Sequence, residues 1–247
     1  MAAGCPPGRL GWPTVRVTLD AIRDYFPTGG SARRFQPLPD YRCIYVRNAK
    51  VGTNTTLLWL HRVHTGDHDF TPERNIHVEH KLPRVSDLGW EEVVRMLNGD
   101  AFRFSFVRHP IRRLESAYLS KVVRHRRYPG RAGLQEILGL PQDPDQELTF
   151  DQFVAALEMQ DPLRMDVHWR PQHLNLMHGL IEYDLVGRLE TFAADVARIR
   201  EAAGMPDVPI EARNVSKRPA TGLLDGRPDL LRTVTDIYAR DFELYGY

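Results

Sequence analysis

The sequence predicts an α/β fold in which helices cover both faces of a central parallel sheet. Short apolar runs alternate with longer stretches of helical periodicity from residue 41 onward, and glycine, proline and asparagine lie between them. No internal repeat is visible, and 247 residues suffice for one large hydrophobic core. We therefore expect residues 41–247 to form a single domain and residues 1–40 to form a partly irregular N-terminal extension.

The first half of this predicted domain consists of three strand–helix pairs. A strand-like run such as Phe102–Val107 has the length of a buried strand, and Pro110 suits the first turn of a helix after it. Such helices provide the crossovers that parallel strands need. The predicted elements are strand 41–46, helix 54–64, strand 74–79, helix 88–97, strand 102–107 and helix 110–124.

The second half begins with a segment, 125–148, that is predicted to be irregular. Thr149 and Gln152 then form a capping box, which opens a helix ending near Met159. Gly204 is expected at the C-cap of a later helix. The remaining predicted elements are a short helix 18–26 near the N-terminus, strand 182–186, helix 189–203 and a last helix beginning near Pro228.

Charge and hydropathy exclude several classes of protein. The formal net charge of +1 is not that of a nucleic-acid binder. No apolar run is long enough to span a membrane, and the N-terminus lacks the apolar core of a signal peptide. Cys5, in a Pro/Gly-rich start, and Cys43, in a predicted strand, are expected to stay reduced. We expect a cytoplasmic protein without a membrane span or nucleic-acid partner, and the oligomeric state is not indicated.

A polar loop after the first predicted strand has the composition of an anion-binding site. Residues 47–56, Arg-Asn-Ala-Lys-Val-Gly-Thr-Asn-Thr-Thr, join this strand to a helix. Such a turn directs backbone N–H groups and the positive end of the helix dipole at one point, where Lys50 adds a full charge. Lys50 precedes Gly52, whereas a nucleoside-triphosphate P-loop has its lysine after the glycines and a hydroxyl for magnesium. The alternative is a solvated lysine in an ordinary turn.

A second anion site is predicted at the end of strand 102–107. Arg108 follows this strand, and Ser116 lies about two turns into the helix that begins at Pro110. The arginine can bind a phosphate as a fork, and an inward-facing serine can donate its hydroxyl. Because both motifs follow strands of one sheet, they should face one crevice at the carboxyl ends of those strands. A nucleotide with phosphates at two ends would fit there.

These motifs resemble those of the sulfotransferases that use 3′-phosphoadenosine 5′-phosphosulfate (PAPS). The Lys50 loop resembles their 5′-phosphosulfate loop, and Arg108 with Ser116 resembles their 3′-phosphate motif. Three later segments are similar to those of the carbohydrate sulfotransferases that include the chondroitin and HNK-1 enzymes: His168–Gln172, Tyr183–Thr191 and Ile237–Tyr247. The resemblance covers residues 41–247, and the preference for arginine over lysine would suit a bacterial member.

The resemblance implies a P-loop-like three-layer fold and transfer of a sulfonate from PAPS to a hydroxyl of a carbohydrate or glycosylated metabolite. Lys50 would lie on the bridging oxygen or the 5′-phosphate, while Arg108 and Ser116 would bind the 3′-phosphate. Sulfuryl transfer needs no magnesium bridge, so no metal is expected. The rival functions are a P-loop-type kinase and a non-catalytic nucleotide-binding module of the same fold. The other residues implied in cofactor binding are Val51, Gly52, Thr53, Asn54 and Thr55.

The acceptor hydroxyl needs a general base, and histidines are the candidates. His80 is preferred because it lies nearest the carboxyl end of predicted strand 74–79, and His77 is next. A histidine at a strand end is often only a surface or capping residue. His168 is a third candidate, although it is expected to shape the pocket floor. The predicted catalytic residues are therefore Lys50, His80 and His77.

Two basic segments and two departures from the group's pattern leave the acceptor open. Residues 124–127 are expected to be solvated charges at a helix C-terminus, with a lid or an acceptor contact as the alternative. Residues 214–218 could close over the 3′-phosphate or the adenine. His109 stands where the group has an acidic residue, and residues 174–178 stand where many animal members have cysteines. The second departure puts the acceptor class in doubt.

Overall fold

The sheet of the computed structural model is mostly parallel and has four strands in the order β1-β2-β3-β4. The structure describes residues 16–210 and 222–247. Strands β2, β3 and β4 run parallel to one another, whereas β1 pairs antiparallel with β2. The strands are β1 (Phe35–Leu38), β2 (Cys43–Val46), β3 (Phe102–Val107) and β4 (Leu185–Arg188).

Two apolar clusters cover the two faces of the sheet. Ile44 and Val46 pack on one face, and Cys43 and Tyr45 pack on the other, because side chains alternate along a strand. Every residue of β2 is buried, which is typical of a parallel strand with helices on both sides. The predicted α/β architecture with a central sheet flanked by helices is confirmed.

The helices form the outer layers and a separate helical region. Helices α2 and α10 cover one face of the sheet, and α1 and α5 cover the other. Helices α6, α7, α8 and α11 contribute to a third apolar cluster that contains Phe153 and Trp169. The helices are α1 (Leu19–Asp24), α2 (Thr53–Thr65), α3 (Ile76–Glu79), α4 (Val85–Leu88), α5 (Trp90–Asn98), α6 (Pro110–Ala117), α7 (Pro129–Ile137), α8 (Phe150–Glu158), α9 (Gln172–Asn175), α10 (Phe192–Ala202), α11 (Pro228–Ile237) and α12 (Ala239–Tyr245).

The prediction of a strand at 74–79 is wrong, because this segment forms the short helix α3. Asn75 Oδ1 accepts a hydrogen bond from the backbone N–H of His77 at 3.0 Å. The carboxylate of Glu79 accepts from the N–H groups of Glu73 and Arg74 at 2.7 and 2.8 Å. These local bonds satisfy the backbone in a turn and replace the ladder of a strand.

Other differences concern short elements. Strand β1 lies within the predicted N-terminal extension and contains Pro37, which an edge strand tolerates. Helix α7 lies in the segment predicted to be irregular, and Pro129 occupies its first turn. The helix predicted at 110–124 is α6 followed by a π-helical segment, Tyr118–Arg124. Within the described ranges, no helix has the length and apolar character that crossing a membrane requires.

Candidate active site

The loop between β2 and α2 forms a concave array of backbone donors. Lys50 and Gly52 both have left-handed backbone conformations, with φ of 69° and 83°. Alternation of such conformations turns successive N–H groups toward one point, as in the backbone nests that bind anions. A side chain at residue 52 would also place its Cβ only 2.9 Å from Leu189 Cδ1. Glycine is therefore required at residue 52 by backbone conformation and by the close approach of Leu189.

The same loop leaves the start of α2 open. Gly52 is the N-cap residue of this helix, and no described side chain caps its first N–H groups. Thr53 and Thr56 instead direct their hydroxyls at backbone carbonyls, those of Asn48 and Gly52. The start of the helix and the helix dipole together favour an anion at this point.

Lys50 lies in a strongly electropositive environment. Burial, together with the positive charges of Lys121, Arg124, Arg108 and Arg113, lowers the pKa of Lys50 to about 8. The charges that act most strongly on Lys50 are thus all cationic. A bound anion would offset this repulsion and restore the ordinary basicity of the lysine.

The backbone of Arg108 is fixed from both sides by one buried amide. Gln172 Oε1 accepts the Arg108 N–H at 3.0 Å, and Gln172 Nε2 donates to the Arg108 carbonyl at 2.8 Å. Burial lowers the pKa of the Arg108 guanidinium, while Glu190 and Glu115 act in the opposite direction. Ser116 lies half-buried in the last turn of α6. Arg108 follows β3, and the Lys50 loop follows β2, the parallel neighbour of β3. Both residues therefore lie at the carboxyl ends of adjacent strands, and the charge of Arg108 acts on Lys50.

Two further buried side chains, which the sequence analysis missed, connect this region. Gln172 Oε1 also accepts from Asn48 Nδ2 at 3.1 Å, so one amide joins the Lys50 loop to Arg108. Arg113 donates to the carbonyls of Ala49, Arg170 and Val167 at 2.8 to 2.9 Å. Gln172 and Arg113 belong to the segments that carry the resemblance, and polar residues there could have been tested as buried connectors.

The positional reason for choosing His80 is wrong, because α3 is a helix and His80 follows its last turn. Its side chain is buried, and Nε2 lies 3.2 Å from the guanidinium of Arg47. Burial lowers the pKa of His80 to about 4, and the charges of Arg47 and Arg84 contribute. His80 is thus neutral near pH 7, and its ring faces an arginine.

His77 contacts the anion loop directly. Its Nε2 lies 2.8 Å from Oδ1 of Asn54, the second residue of α2. Desolvation, together with the positive charges of Arg47 and Arg34, lowers the pKa of His77 to about 4. The structure therefore brings His77 into contact with Asn54, a residue predicted to bind the cofactor, whereas His80 contacts Arg47 at the start of the loop.

His168 lies in the same electrostatic environment as Lys50. Burial lowers its pKa, Asp166 raises it, and the charges of Lys121 and Lys50 lower it again, with a net decrease. The Nδ1 atom of His168 lies 2.6 Å from Oδ1 of Asp166. His168 is therefore neutral near pH 7 and oriented by a carboxylate.

The basic segment 124–127 lines a surface cavity together with Tyr128, Pro129, Pro144 and Asp145. The other basic segment, 214–218, lies outside the described residues. Within residues 16–210 and 222–247, no three histidine, cysteine or acidic side chains are grouped as metal ligands would be.

Almost the whole described chain matches one protein family. Residues 33–247 match a family described as the Sulfotransferase family. The chain belongs to the sulfotransferase family. The matched range of this sulfotransferase includes strand β1 as well as both anion motifs. No solved structure matches the chain.

Individual relatives of this sulfotransferase bear the name carbohydrate sulfotransferase. The human carbohydrate sulfotransferase 14 is 33% identical over 175 residues, which are 66% of this chain and 46% of the relative. The mouse carbohydrate sulfotransferase 14 is 31% identical over 190 residues, 70% of this chain and 50% of the relative. Carbohydrate sulfotransferase 10 of Gallus gallus is 29% identical over 211 residues, which are 72% of this chain and 56% of the relative. The chain spans about half the length of these curated relatives.

Proposed function

We propose that the protein transfers a sulfonate group from PAPS to a hydroxyl of a carbohydrate or glycosylated metabolite. The observation that carries this proposal is the position of Lys50, in a left-handed turn at the uncapped start of α2 and beside Arg108. Two separated cationic sites at neighbouring strand ends suit a nucleotide with phosphate groups at both ends. The names of the relatives support a carbohydrate as the acceptor.

The residues around the crevice fit the chemistry of PAPS. The left-handed turn supplies converging N–H donors, and the absence of a side chain at Gly52 leaves room for close packing of the loop. Val51, Thr53, Asn54 and Thr55 would add backbone and polar donors around the phosphosulfate. Arg108 and Ser116 would hold the 3′-phosphate. PAPS supplies an activated sulfonate whose leaving group is a phosphate.

The reaction requires charge stabilisation and removal of one proton. Lys50 would neutralise the charge that accumulates on the leaving phosphate, an effect that grows toward the transition state. A neutral histidine would accept the proton of the acceptor hydroxyl. His77 and His80 are the histidines predicted from the sequence for this role, and of the two only His77 contacts a residue predicted to bind the cofactor, Asn54.

No observation favours the rival functions. Lys50 precedes Gly52, in the order opposite to that of a nucleoside-triphosphate loop. A lysine whose pKa is lowered by burial and by four neighbouring cations is typical of a functional site. The proposal covers the identity of PAPS as donor, whereas the cytoplasmic location and the absence of a metal stay predictions from the sequence.

A binding and turnover experiment tests the proposal. Adenosine 3′,5′-bisphosphate (PAP) should raise the melting temperature more than AMP does, because only PAP engages both anion sites. Wild-type protein should then transfer ³⁵S-sulfonate from PAPS to at least one member of a carbohydrate panel, and it should not transfer phosphate from ATP. Equal stabilisation by AMP and PAP, or phosphate transfer from ATP, would refute the proposal.

A Lys50→Ala variant separates binding from catalysis. This variant should lower kcat more than it lowers PAPS affinity, since the cation acts chiefly on the leaving group in the transition state. A matched control is Lys81→Ala, which removes an exposed lysine elsewhere on the surface. An unchanged kcat with a raised KM would make Lys50 a binding residue only.

A further inference from the structure

Asp166, His168 and Tyr128 form a hydrogen-bonded cluster beside Lys50. Asp166 Oδ1 lies 2.6 Å from His168 Nδ1 and also accepts the backbone N–H of His168 at 2.9 Å. Tyr128 donates its hydroxyl to the other carboxylate oxygen of Asp166 at 2.5 Å. Both carboxylate oxygens are thus engaged, and the side chain of Asp166 is held in one orientation.

This arrangement fixes the tautomer of His168. Burial raises the pKa of Asp166, but the hydrogen bonds from His168 and Tyr128 outweigh that effect and leave its pKa below the ordinary value. An ionised Asp166 accepts hydrogen bonds only, so Nδ1 of His168 must carry the proton. The Nε2 atom of the neutral ring then has a free lone pair. Within the described part of the chain, no hydrogen bond occupies that atom.

The cluster packs closely against the backbone of Gly130. A side chain at Gly130 would place its Cβ 2.7 Å from Tyr128 Cε1 and 2.8 Å from Trp169 Cη2. The same Cβ would lie 3.1 Å from Asp166 Oδ2. Burial and the Asp166 carboxylate raise the pKa of Tyr128, so its hydroxyl stays protonated as a donor. Glycine at residue 130 therefore permits the contacts that orient the carboxylate.

The cluster also adjoins the Lys50 loop. The buried guanidinium of Arg113 donates to the carbonyl of Ala49 at 2.9 Å and to that of Val167 at 2.8 Å, so it joins the residues that precede Lys50 and His168. The charges of Lys121 and Lys50 both lower the pKa of His168, and the ammonium of Lys121 lies 4.4 Å from the centre of the Tyr128 ring. His168 in turn lowers the pKa of His77, which contacts Asn54 in the anion loop. His168 thus lies among groups of the Lys50 crevice.

We propose that His168 is the general base of the transfer reaction and that Asp166 and Tyr128 are positioning residues that orient it. The inference rests on the proposed sulfotransferase function. Nε2 of His168 takes the proton from the acceptor hydroxyl as the acceptor oxygen forms its bond to sulfur. The bond between sulfur and the phosphate oxygen breaks, and its electron pair leaves with PAP. Asp166 stabilises the resulting imidazolium through Nδ1–H, as a carboxylate does in a catalytic triad.

A general base of this kind needs a free Nε2 atom and a carboxylate that holds the other ring nitrogen. His77 and His80 do not meet both conditions. The Nε2 atom of His80 faces the guanidinium of Arg47, and that of His77 is engaged by Asn54. Neither ring has a described carboxylate partner to fix its tautomer and stabilise its protonated form. His168 has such a partner and a free Nε2.

The test uses full-length protein, PAPS and three acceptor probes: desulfated chondroitin, 4-nitrophenyl β-D-galactoside and 4-nitrophenyl β-D-glucuronide. His168→Ala should lower kcat about 100-fold or more, the usual scale for losing a general base. Asp166→Asn should lower kcat at least about 10-fold, because an amide can donate to Nδ1 and favour the wrong tautomer. Both variants should retain the thermal shift with PAP. The matched control is His68→Ala, which removes an exposed histidine and should retain full activity.

Chemical rescue and the pH profile distinguish a base from a structural residue. Added imidazole should restore part of the activity of His168→Ala. The acid limb of the wild-type pH profile should move to lower pH in Asp166→Asn, because Asp166 raises the pKa of His168. Within the cluster, Asp166 and Tyr128 are the charged and titratable partners of His168. The groups outside the cluster that act on it are Lys121, Lys50, His77 and Arg34.

The outcomes separate this inference from the function on which it rests. If wild-type protein transfers no sulfonate to any probe, both the proposed function and the role of His168 are refuted. If wild-type protein is active and His168→Ala retains at least half of its kcat, only the role of His168 is refuted. A loss of activity in His77→Ala or His80→Ala, with His168→Ala active, would assign the base to that histidine.

Discussion

The low pKa of Lys50 predicts that nucleotide binding is coupled to proton uptake. Burial and four neighbouring cations lower this pKa from an ordinary 10.5 to about 8. The folded protein without an anion therefore disfavours the charged lysine by on the order of 3 kcal/mol. Because the folded pKa lies below the unfolded value, this penalty is complete below pH 8 and disappears above the unfolded pKa.

The size of the proton uptake follows from the same pKa. At pH 8.5, roughly a quarter of the unbound molecules carry a protonated Lys50, since the pKa is about 8. The phosphates of PAP are fully ionised at that pH and would return Lys50 to its ordinary basicity. PAP binding should then take up about 0.7 proton per site at pH 8.5, and less than about 0.1 proton through Lys50 at pH 7.

Isothermal titration calorimetry measures this number directly. The enthalpy of PAP binding at pH 8.5 is plotted against the ionisation enthalpy of several buffers, and the slope gives the protons taken up. Lys50→Met should abolish the uptake, whereas Lys81→Met, the control at an exposed lysine, should leave it unchanged. A slope near zero for the wild type, or an equal slope in Lys50→Met, would refute the electrostatic account of the site.

Further predictions concern Arg108, its supports and the metal requirement. Arg108→Ala should weaken PAP binding by about 1.5–3 kcal/mol and AMP binding much less, measured by calorimetry, because only PAP carries a 3′-phosphate. Gln172→Leu should lower the free energy of unfolding by on the order of 3 kcal/mol in urea, since it removes the amide that pairs with the Arg108 N–H and carbonyl and one hydrogen bond of Asn48. Glu190 accepts the hydroxyl of Tyr247 at 3.0 Å and also the N–H of His109, the residue after Arg108. Deletion of Tyr247 should therefore weaken PAP binding about fivefold. Activity should survive EDTA, and a loss restored by magnesium would instead support the kinase alternative.

Local patterns predicted strands β2 and β3 because these two strands are buried on both faces. Cys43–Val46 is a continuous apolar run, and Phe102–Val107 carries an apolar residue at four of six positions, a pattern with few alternatives to a buried strand. The segment at 74–79 also alternates apolar and polar residues, but Asn75 and Glu79 bond the backbone locally and form a turn of helix. Strand β1 was missed because Pro37 disfavours a strand interior, whereas an edge position tolerates it.

The two anion motifs could be proposed from the sequence because each is contained in one strand–turn–helix unit. Lys50 and Gly52 are two residues apart, and Arg108 follows its strand directly. The residues that connect these units could not be proposed in the same way. Gln172 lies 64 residues from Arg108 and 124 residues from Asn48, so its role depends on contacts that periodicity does not encode. The orientation of His168 likewise depends on Tyr128, which is 40 residues away.

The hydrogen bonds of Gln172 fix the distance between the two anion sites, and this distance affects which nucleotide binds. Its Oε1 accepts from Asn48 and from the Arg108 N–H, and its Nε2 donates to the Arg108 carbonyl. A flipped amide would oppose donors to donors, so only one orientation satisfies the site. Moving the Lys50 loop relative to Arg108 would break these buried bonds, which makes the separation of the two anion sites a property of the protein before any ligand binds. Both loops are then ordered during folding, so nucleotide binding loses little further conformational entropy. The attraction between the second anion site and the 3′-phosphate therefore favours PAP over AMP.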